Sequence, residues 1–285
     1  MTAHVQLITN PDAGSYRAAK IEALRDAFSR QGAKVTLTHC GPGRDAKIAK
    51  EASLIVVAGG DGTLRHVAIA ALASRKTIPI ACFPMGTVNL LHLEQGGPTS
   101  PEAFAKTVMA CPQEQLHVPA SINGHVFLAC ASIGPDSRAV ATVSLRLKSR
   151  IGRYAYGMAM LGMLPRWKRS QLTLIIDGQE HRCEAVYIAK GTYFAGPYSF
   201  APDARRTAPM LHVVALKSAS RLEFIRFVLA LVRGRSITDS ANVLSFECTA
   251  FDVHGDADLP VQADGDEIAK VPARIEISDQ RLSFH

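Results

Sequence analysis

The stretch LIVVAGGDGTLRHVAIA, residues 54–70, constrains this chain most. An apolar run with the look of a buried strand stops at Gly59-Gly60-Asp61-Gly62-Thr63 and restarts as a helical pattern. Glycines allow backbone angles that other residues avoid and let a ligand come close. The free N–H groups at a helix start attract anions, so a phosphate there would be cradled by backbone. Asp61 would repel a phosphate, unless it orders a hydrated Mg²⁺ or a nucleotide hydroxyl. The plainer alternative is a tight strand–helix turn with Asp61 as N-cap. The loop is neither a G-x-x-x-x-G-K-[ST] phosphate loop nor a G-x-G-x-x-G dinucleotide fingerprint.

The surrounding pattern supplies the scaffold. HVQLIT (4–9) reads as a strand, and SYRAAKIEALRDAFSRQG (15–32) as an amphipathic helix with Ile21, Leu24 and Phe28 on one face and Gly32 as its stop. AKVTLTHC (33–40) predicts a strand, GRDAKIAKEA (43–52) a short helix, and IPIACFP (78–84) another strand. Strand–helix alternation with nearly continuous apolar strands predicts a parallel sheet covered on both faces.

The pattern changes near residue 117. LHVPASINGHVFLACASIG (116–134) reads as a hairpin turning at Asn123-Gly124. Short strands follow over 171–191, 211–217, 243–255, 259–268 and 274–280, with a helix over 220–235 among them. The fold class expected is α/β plus β: an α/β domain over 1–117 and an antiparallel β-rich domain over 118–272. The last strand, about 273–285, is free to return to the first domain.

A hydrophobic fraction of 47% supports a sizeable core without disulfides or metals. The six cysteines are scattered, with no C-x-x-C pair, which reads as buried thiols in a reducing cytoplasm. The start MTAHVQLITNPDAG lacks the build of a signal peptide, and no apolar run approaches the roughly 20 residues of a bilayer span. A net charge of +7 suits a nucleotide, a nucleic acid or an anionic membrane surface. Nucleic acid is disfavoured, because the charge sits on no binding motif and aromatic residues make up only 6%. Segment 146–169 surrounds Tyr154, Tyr156, Met158, Met160, Met163 and Trp167 with seven Lys/Arg, which suits either a lipid-headgroup interface or core packing.

Three further motifs complete the picture: NPDAG (Asn10–Gly14), PMGTVNLLHLE (Pro84–Glu94) and VQADGDE (Val261–Glu267). With GGDGT, and in this order, they resemble the diacylglycerol-kinase catalytic family, which includes bacterial lipid kinases and is distantly related to NAD kinases. The resemblance spans nearly the whole chain. It implies ATP and Mg²⁺ as cofactors and a lipid hydroxyl as acceptor, with diacylglycerol first. It places the active site in a cleft between the two domains and the enzyme at the inner face of the membrane, with homodimerisation left open.

Residue by residue, the resemblance implies that Asn10, Thr38, Gly59–Thr63, Gly86, Thr87 and Asn89 bind nucleotide. Asp61 would organise the magnesium of Mg–ATP, in part through water. Asp266 would be the base that takes the lipid hydroxyl proton, with Asp264 supporting the turn or the metal. The chain also departs from the family. Many relatives have Asn-Asp where it has Asn89-Leu90, Asp where it has His117, and a catalytic Glu where it has Asp266. APDARRTAPMLHVV (201–214), with Ala208-Pro209, lacks the Asp-Gly that holds a structural Mg²⁺ in relatives. Two rival readings remain at this point: a kinase of a soluble hydroxyl compound, and a nucleotide- or lipid-binding relative without catalysis.

Overall fold

The computed structural model describes residues 2–13, 16–41, 43–74, 76–110, 114–142, 162, 165 and 167–285. The chain divides into two compact units, Met1–His117 with Gln280–His285, and Val118–Asp279.

The first unit runs β1 (His4–Thr9), α1 (Ala18–Arg30), β2 (Lys34–His39), β3 (Leu54–Gly59), α2 (Asp61–Ser74), β4 (Ile80–Pro84), α3 (Leu90–Gln95), α4 (Pro101–Ala110) and β5 (Gln115–His117). A strand from the far end of the chain, β18 (Leu282–Phe284), completes the sheet in the order β2-β1-β3-β4-β18-β5. β1 to β4 are parallel, β18 runs parallel to β4, and β5 is antiparallel to β18. Val5, Leu7, Leu54, Val56 and Ala58 share one core with Ile21, Leu24 and Phe28 of α1 and with Phe104, Ala105 and Val108 of α4. Gly32, at φ +82°, ends α1: its N–H bonds the Ser29 carbonyl and the Ala33 N–H bonds that of Phe28, closing the last turn.

Two local expectations need correction. Residues 45–49 form no helix. The buried Gln6 holds them instead: its Nε2 donates to the Lys47 carbonyl at 2.7 Å and its Oε1 accepts from the Ala49 N–H at 2.9 Å. Local helix propensity yields here to a tertiary clamp. Helix α4 was not expected, although Ser100-Pro101-Glu102 carries the signal. The Ser100 carbonyl accepts the Phe104 N–H, and Pro101 occupies the first helical position, where its missing N–H costs nothing.

The second unit continues with β6 (Ala120–Ile122), β7 (His125–Phe127), β8 (Cys130–Ile133), α5 (Pro135–Thr142), β9 (Leu172–Ile176), β10 (Gln179–Cys183), β11 (Ala185–Ala189) and β12 (Leu211–Leu216). Then come α6 (Arg221–Val232), β13 (Val243–Cys248), β14 (Ala250–Gly255), β15 (Pro260–Ala263), β16 (Asp266–Lys270) and β17 (Ala273–Ile277). Two antiparallel sheets result, β10-β9-β14-β17-β6-β7 and β13-β12-β11-β8-β15-β16. Ile122, Leu174, Val253 and Ile275 of the first share a core with Ile133, Ile188, Val213 and Val261 of the second. The outer face of the second sheet, with Tyr187 and Val214, packs on Phe224, Phe227 and Leu231 of α6. β11 is therefore buried on both faces, and its side chains alternate between the two cores.

Three hairpins turn on two residues each, Asn123-Gly124, Asp177-Gly178 and Asp264-Gly265, all at positive φ. That geometry matches the twist of the flanking strands, and Asn, Asp and Gly are the residues that tolerate it. β17 pairs with β14 and β6 inside the second unit, so the return to the first sheet involves only Leu282–Phe284.

Candidate active site

In the first unit, the connection leaving β1 leads to β2 on one side, and that leaving β3 leads to β4 on the other. The carboxyl ends of the adjacent strands β1 and β3 therefore flank a topological switch point, where open α/β sheets bind ligands. Asn10 follows β1, Gly59–Thr63 ends β3 and opens α2, and the loop 85–89 follows β4, the other neighbour of β3. Thr38 lies on β2, paired with Ile8.

The two glycine loops fit together at the backbone. A Cβ on Gly86 would sit 2.2 Å from the Gly60 Cα, and one on Gly60 would sit 2.8 Å from the Gly86 Cα. A Cβ on Gly59 would meet the Thr63 side chain at 2.6 Å. The glycines are thus needed for loop packing, whatever ligand approaches. The Met85 N–H bonds the Gly59 carbonyl, and the Leu64 N–H bonds the Gly60 carbonyl as the first turn of α2.

Asp61 fastens this arrangement. Its Oδ2 accepts the Asn89 N–H at 3.0 Å and its Oδ1 the Leu90 N–H at 2.7 Å. It caps α3, a helix whose own N-cap residue, Asn89, makes no capping side-chain bond. The Asn89 side chain instead closes its own loop, accepting from the Gly86 N–H at 2.7 Å and donating to the Gly86 carbonyl at 2.9 Å. Asn89 stands in the left-handed region, φ 59°. Leu90 contributes its N–H to Asp61 and buries its side chain.

Elsewhere around this edge, Asn10 Oδ1 accepts the Asp12 N–H at 3.0 Å, shaping the turn after β1. The Thr38 hydroxyl accepts from Gln6 Nε2 at 3.1 Å. His117 lies at the opposite end of the sheet, paired with Leu282 at the start of β18, which runs parallel to β4; it is buried there, with its ring against Phe284 at 4.5 Å. The N-terminal N–H groups of α2, the Thr63 and Thr87 hydroxyls and the loop amides are the groups that could donate to an anion here. Among the described residues, no three His, Cys, Asp or Glu side chains are grouped to hold a metal ion. A magnesium ion at this edge would thus depend mainly on phosphate oxygens and water for its ligands.

In the second unit, Asp264 and Gly265 form the β15–β16 turn, and Asp266 opens β16 opposite Ala263. The two carboxylates differ in setting. Asp264 is 7% exposed and accepts three backbone N–H groups, from Leu128 (2.8 Å), Ala129 (2.9 Å) and Cys130 (3.2 Å). It fixes the turn between β7 and β8. Asp266 is only half-buried.

Sequence reasoning missed a buried polar chain behind this turn. The Gly265 N–H bonds Gln262 Oε1 at 3.2 Å, Gln262 Nε2 donates to Ser132 Oγ at 2.7 Å, and the Ser132 hydroxyl donates to Asp136. Burial pushes the Asp136 carboxyl up to about 6, against the hydrogen bond from Ser132. The Tyr187 hydroxyl lies close enough for burial and the Asp136 charge to raise it well above the usual phenol range, yet it meets no hydrogen-bond geometry. The only local signal was Pro135-Asp136 at a helix start, which reads as capping.

Segment 201–214 carries a second surprise. The fully buried Lys190 sends its Nζ to the carbonyls of Arg205 (3.0 Å), Arg206 (3.0 Å) and Ala208 (2.8 Å). An ammonium group meets the converging oxygens of this loop. Of the basic segment 146–169, Arg146 to Leu161 lie outside the described residues, as do Met163, Leu164 and Arg166. Trp167 is described: its Nε1 donates to the Ala219 carbonyl at 2.8 Å and its ring packs on Phe224 at 5.1 Å. Burial pushes the Cys183 thiol up to about 12 and that of Cys248 to about 11, which leaves neither as a nucleophile.

Comparison with known proteins agrees with this geometry. Residues 4–118 match the diacylglycerol kinase catalytic domain, and residues 129–284 match the YegS C-terminal NAD kinase beta sandwich-like domain. The chain is 29% identical over 247 residues to the diacylglycerol kinase of Bacillus subtilis (strain 168), covering 82% of this chain and 80% of that protein. It is 28% identical over 298 residues to the diacylglycerol kinase of Mycobacterium tuberculosis (strain ATCC 25618 / H37Rv), covering 96% and 94%. The crystal structure of a diacylglycerol kinase from Bacillus anthracis str. Sterne shares the fold, with a TM-score of 0.71 at 18% identity over 99% of this chain and 96% of that one. With both domain models matched in order, the chain belongs to the YegS-like, NAD-kinase-related lipid kinase family and is a kinase phosphotransferase.

Proposed function

We propose that the protein transfers the γ-phosphate of ATP to the hydroxyl of a membrane lipid, with diacylglycerol as the first-choice acceptor. The observation that carries this reading is the Gly60–Gly86 contact fastened by Asp61, which presents the start of α2 at the switch point of a family-typical kinase domain. The relatives from Bacillus subtilis and Mycobacterium tuberculosis are diacylglycerol kinases by name, which favours that acceptor.

In this reading the ATP phosphates lie against the N–H groups of Gly59–Thr63 and Gly86–Thr87, with Asn10, Thr38 and Asn89 shaping the edges of the nucleotide site. A bound Mg²⁺ would supply charge neutralisation on the phosphates. Asp61 holds the two loops together and would help hold that ion through water. Asp266 accepts the acceptor's hydroxyl proton as that oxygen bonds the γ-phosphorus. The bond from the γ-phosphorus to the bridging oxygen breaks, and ADP leaves. Asp264 keeps the neighbouring turn in place. Phosphoryl transfer asks mainly for positioning and charge stabilisation, which suits a site built from backbone amides. The enzyme works peripherally, at the inner face of the membrane; no described helix is long and apolar enough to cross one.

The test is incubation with γ-labelled ATP, Mg²⁺ and mixed bacterial lipids in detergent micelles, beside Asp266→Asn and Asp61→Ala. Label entering an extractable lipid, lost in both variants, is the expected result, and the labelled species names the acceptor. A folded, ATP-binding protein that labels neither diacylglycerol nor sphingoid lipids would overturn the reading. It would leave a soluble acceptor or a binding protein.

A further inference from the structure

Helix α6 has two apolar faces. Phe224, Phe227 and Leu231 hold it on β11 and β12. The other face is open: Leu222 is 57% exposed, Ile225 44%, Leu229 40% and Val232 52%. Their spacing of three, four and three residues draws one stripe down the helix. Single exposed leucines are ordinary on a protein surface, but a continuous apolar stripe marks an interaction site. The helix is firmly seated, with the Ser220 hydroxyl capping it through the Glu223 N–H and Trp167 anchored beside its start on Ala219 and Phe224.

The charge around the stripe selects its partner. From Lys217 to Arg235 the chain carries five basic residues, Lys217, Arg221, Arg226, Arg233 and Arg235, and one acid, Glu223. Arg221, Arg226, Arg233 and Arg235 are exposed, and Glu223 already pairs with Arg226 at 2.6 Å. On helical geometry Arg226 and Arg233 flank one side of the stripe and Arg221 the other. A second copy of this chain docked on the stripe would bring like charges together, whereas an anionic bilayer would neutralise them. An apolar stripe edged by arginines is the build of a helix that lies in a membrane interface.

We propose that the outer face of α6 docks the protein on anionic membranes, with Leu222, Ile225, Leu229 and Val232 entering the headgroup–acyl boundary and the arginines meeting lipid phosphates. The docking face serves the lipid-acceptor reading above, but its test is independent of that reading. The full-length protein is co-sedimented with phosphatidylcholine vesicles, with and without phosphatidylglycerol. Binding is expected to need phosphatidylglycerol and to weaken as salt rises. Ile225→Gln/Leu229→Gln should weaken it about tenfold or more, and Arg226→Glu/Arg233→Glu by about tenfold or more. Leu116→Gln, at an exposed apolar residue of the first unit, should leave it unchanged.

Absence of vesicle binding by the unaltered protein, or binding by both double variants as tight as that of the unaltered protein, would overturn the proposal. So would a dimer that Ile225→Gln/Leu229→Gln dissociates while vesicle binding persists. If a double variant melts early, Leu222→Gln replaces it as the test. A parallel assay in detergent micelles separates the two ideas. Vesicle binding with the expected variant pattern but no phosphorylation keeps the docking face and removes the kinase reading. Phosphorylation with variant-insensitive vesicle binding does the reverse.

Discussion

Gly60 and Gly86 touch through their backbones, and a methyl group on Gly86 would lie 2.2 Å from the Gly60 Cα. The clash involves backbone on both sides, so no side-chain rotation relieves it. Gly86→Ala is expected to cost about 1–3 kcal/mol of stability by overpacking and to lower ATP affinity by separating the loops. Thermal melts and nucleotide titration of the same preparation check both effects.

Asp61 accepts two N–H groups from the far loop. Asp61→Ala leaves them without that acceptor and should cost about 1–3 kcal/mol. Asp61→Asn keeps one good acceptor oxygen and should retain most of that stability. If Asp61 also reaches the metal, the Asn variant should still lose turnover and need more Mg²⁺, a split that magnesium titration of the kinase assay reads directly.

Asp264 and Asp266, two residues apart, are expected to fail in different ways. Asp264→Ala removes the acceptor for three backbone N–H groups in a buried turn and should lower the melting temperature sharply. Asp266→Asn keeps the size of a half-buried side chain, so it should lower the melting temperature less than Asp264→Ala does, and it should abolish turnover. Asp266→Glu keeps a carboxylate on a side chain one methylene longer and should keep measurable activity. Melting curves set beside single-turnover rates distinguish the three.

Lys190 gives its ammonium to three carbonyls in a fully buried setting. Lys190→Met keeps the chain length but removes these donors, and should destabilise the second unit by about 3 kcal/mol or more. Urea unfolding measures the cost, and increased proteolysis within 201–214 should accompany it.

Asp136 sets a pH dependence. Its folded-state pKa, raised to about 6, lies above the unfolded value, so the folded state binds the extra proton. The associated stability is fully present below the unfolded pKa and is lost as pH rises through about 6. A shift of roughly two units corresponds to about 3 kcal/mol. Asp136→Asn should flatten the stability profile between about pH 4 and pH 6. Denaturant midpoints across that range test it, and an unchanged slope would remove Asp136 from this role.

Local chemistry was the legible part of the sequence. The apolar run before GGDGT became β3 and the helical pattern after it became α2; Asn123-Gly124 turned a hairpin, and Gly32 stopped α1. Each rests on a few adjacent residues obeying backbone preferences. What stayed hidden depends on partners far along the chain. Asp61 looked like a metal carboxylate or a cap for its own helix, and it caps a helix 29 residues later. Asp264 looked like a turn residue, and its carboxylate holds amides more than 130 residues earlier. The helix read over 43–52 failed because the side chain of Gln6, in another strand, had claims on that backbone. Ser100-Pro101 is a local start signal for α4 of the same readable kind.

Among the described residues β5 has no sheet neighbour other than β18, and Phe284 supplies the ring on which His117 rests. During synthesis on the ribosome, the first unit can assemble β1 to β4 early, but its last two sheet positions wait until residues 118–279 have emerged. The first unit is therefore the first to begin folding and the last to finish. A chain interrupted after the sandwich would leave an open sheet edge beside β4, a ready template for pairing with another such chain.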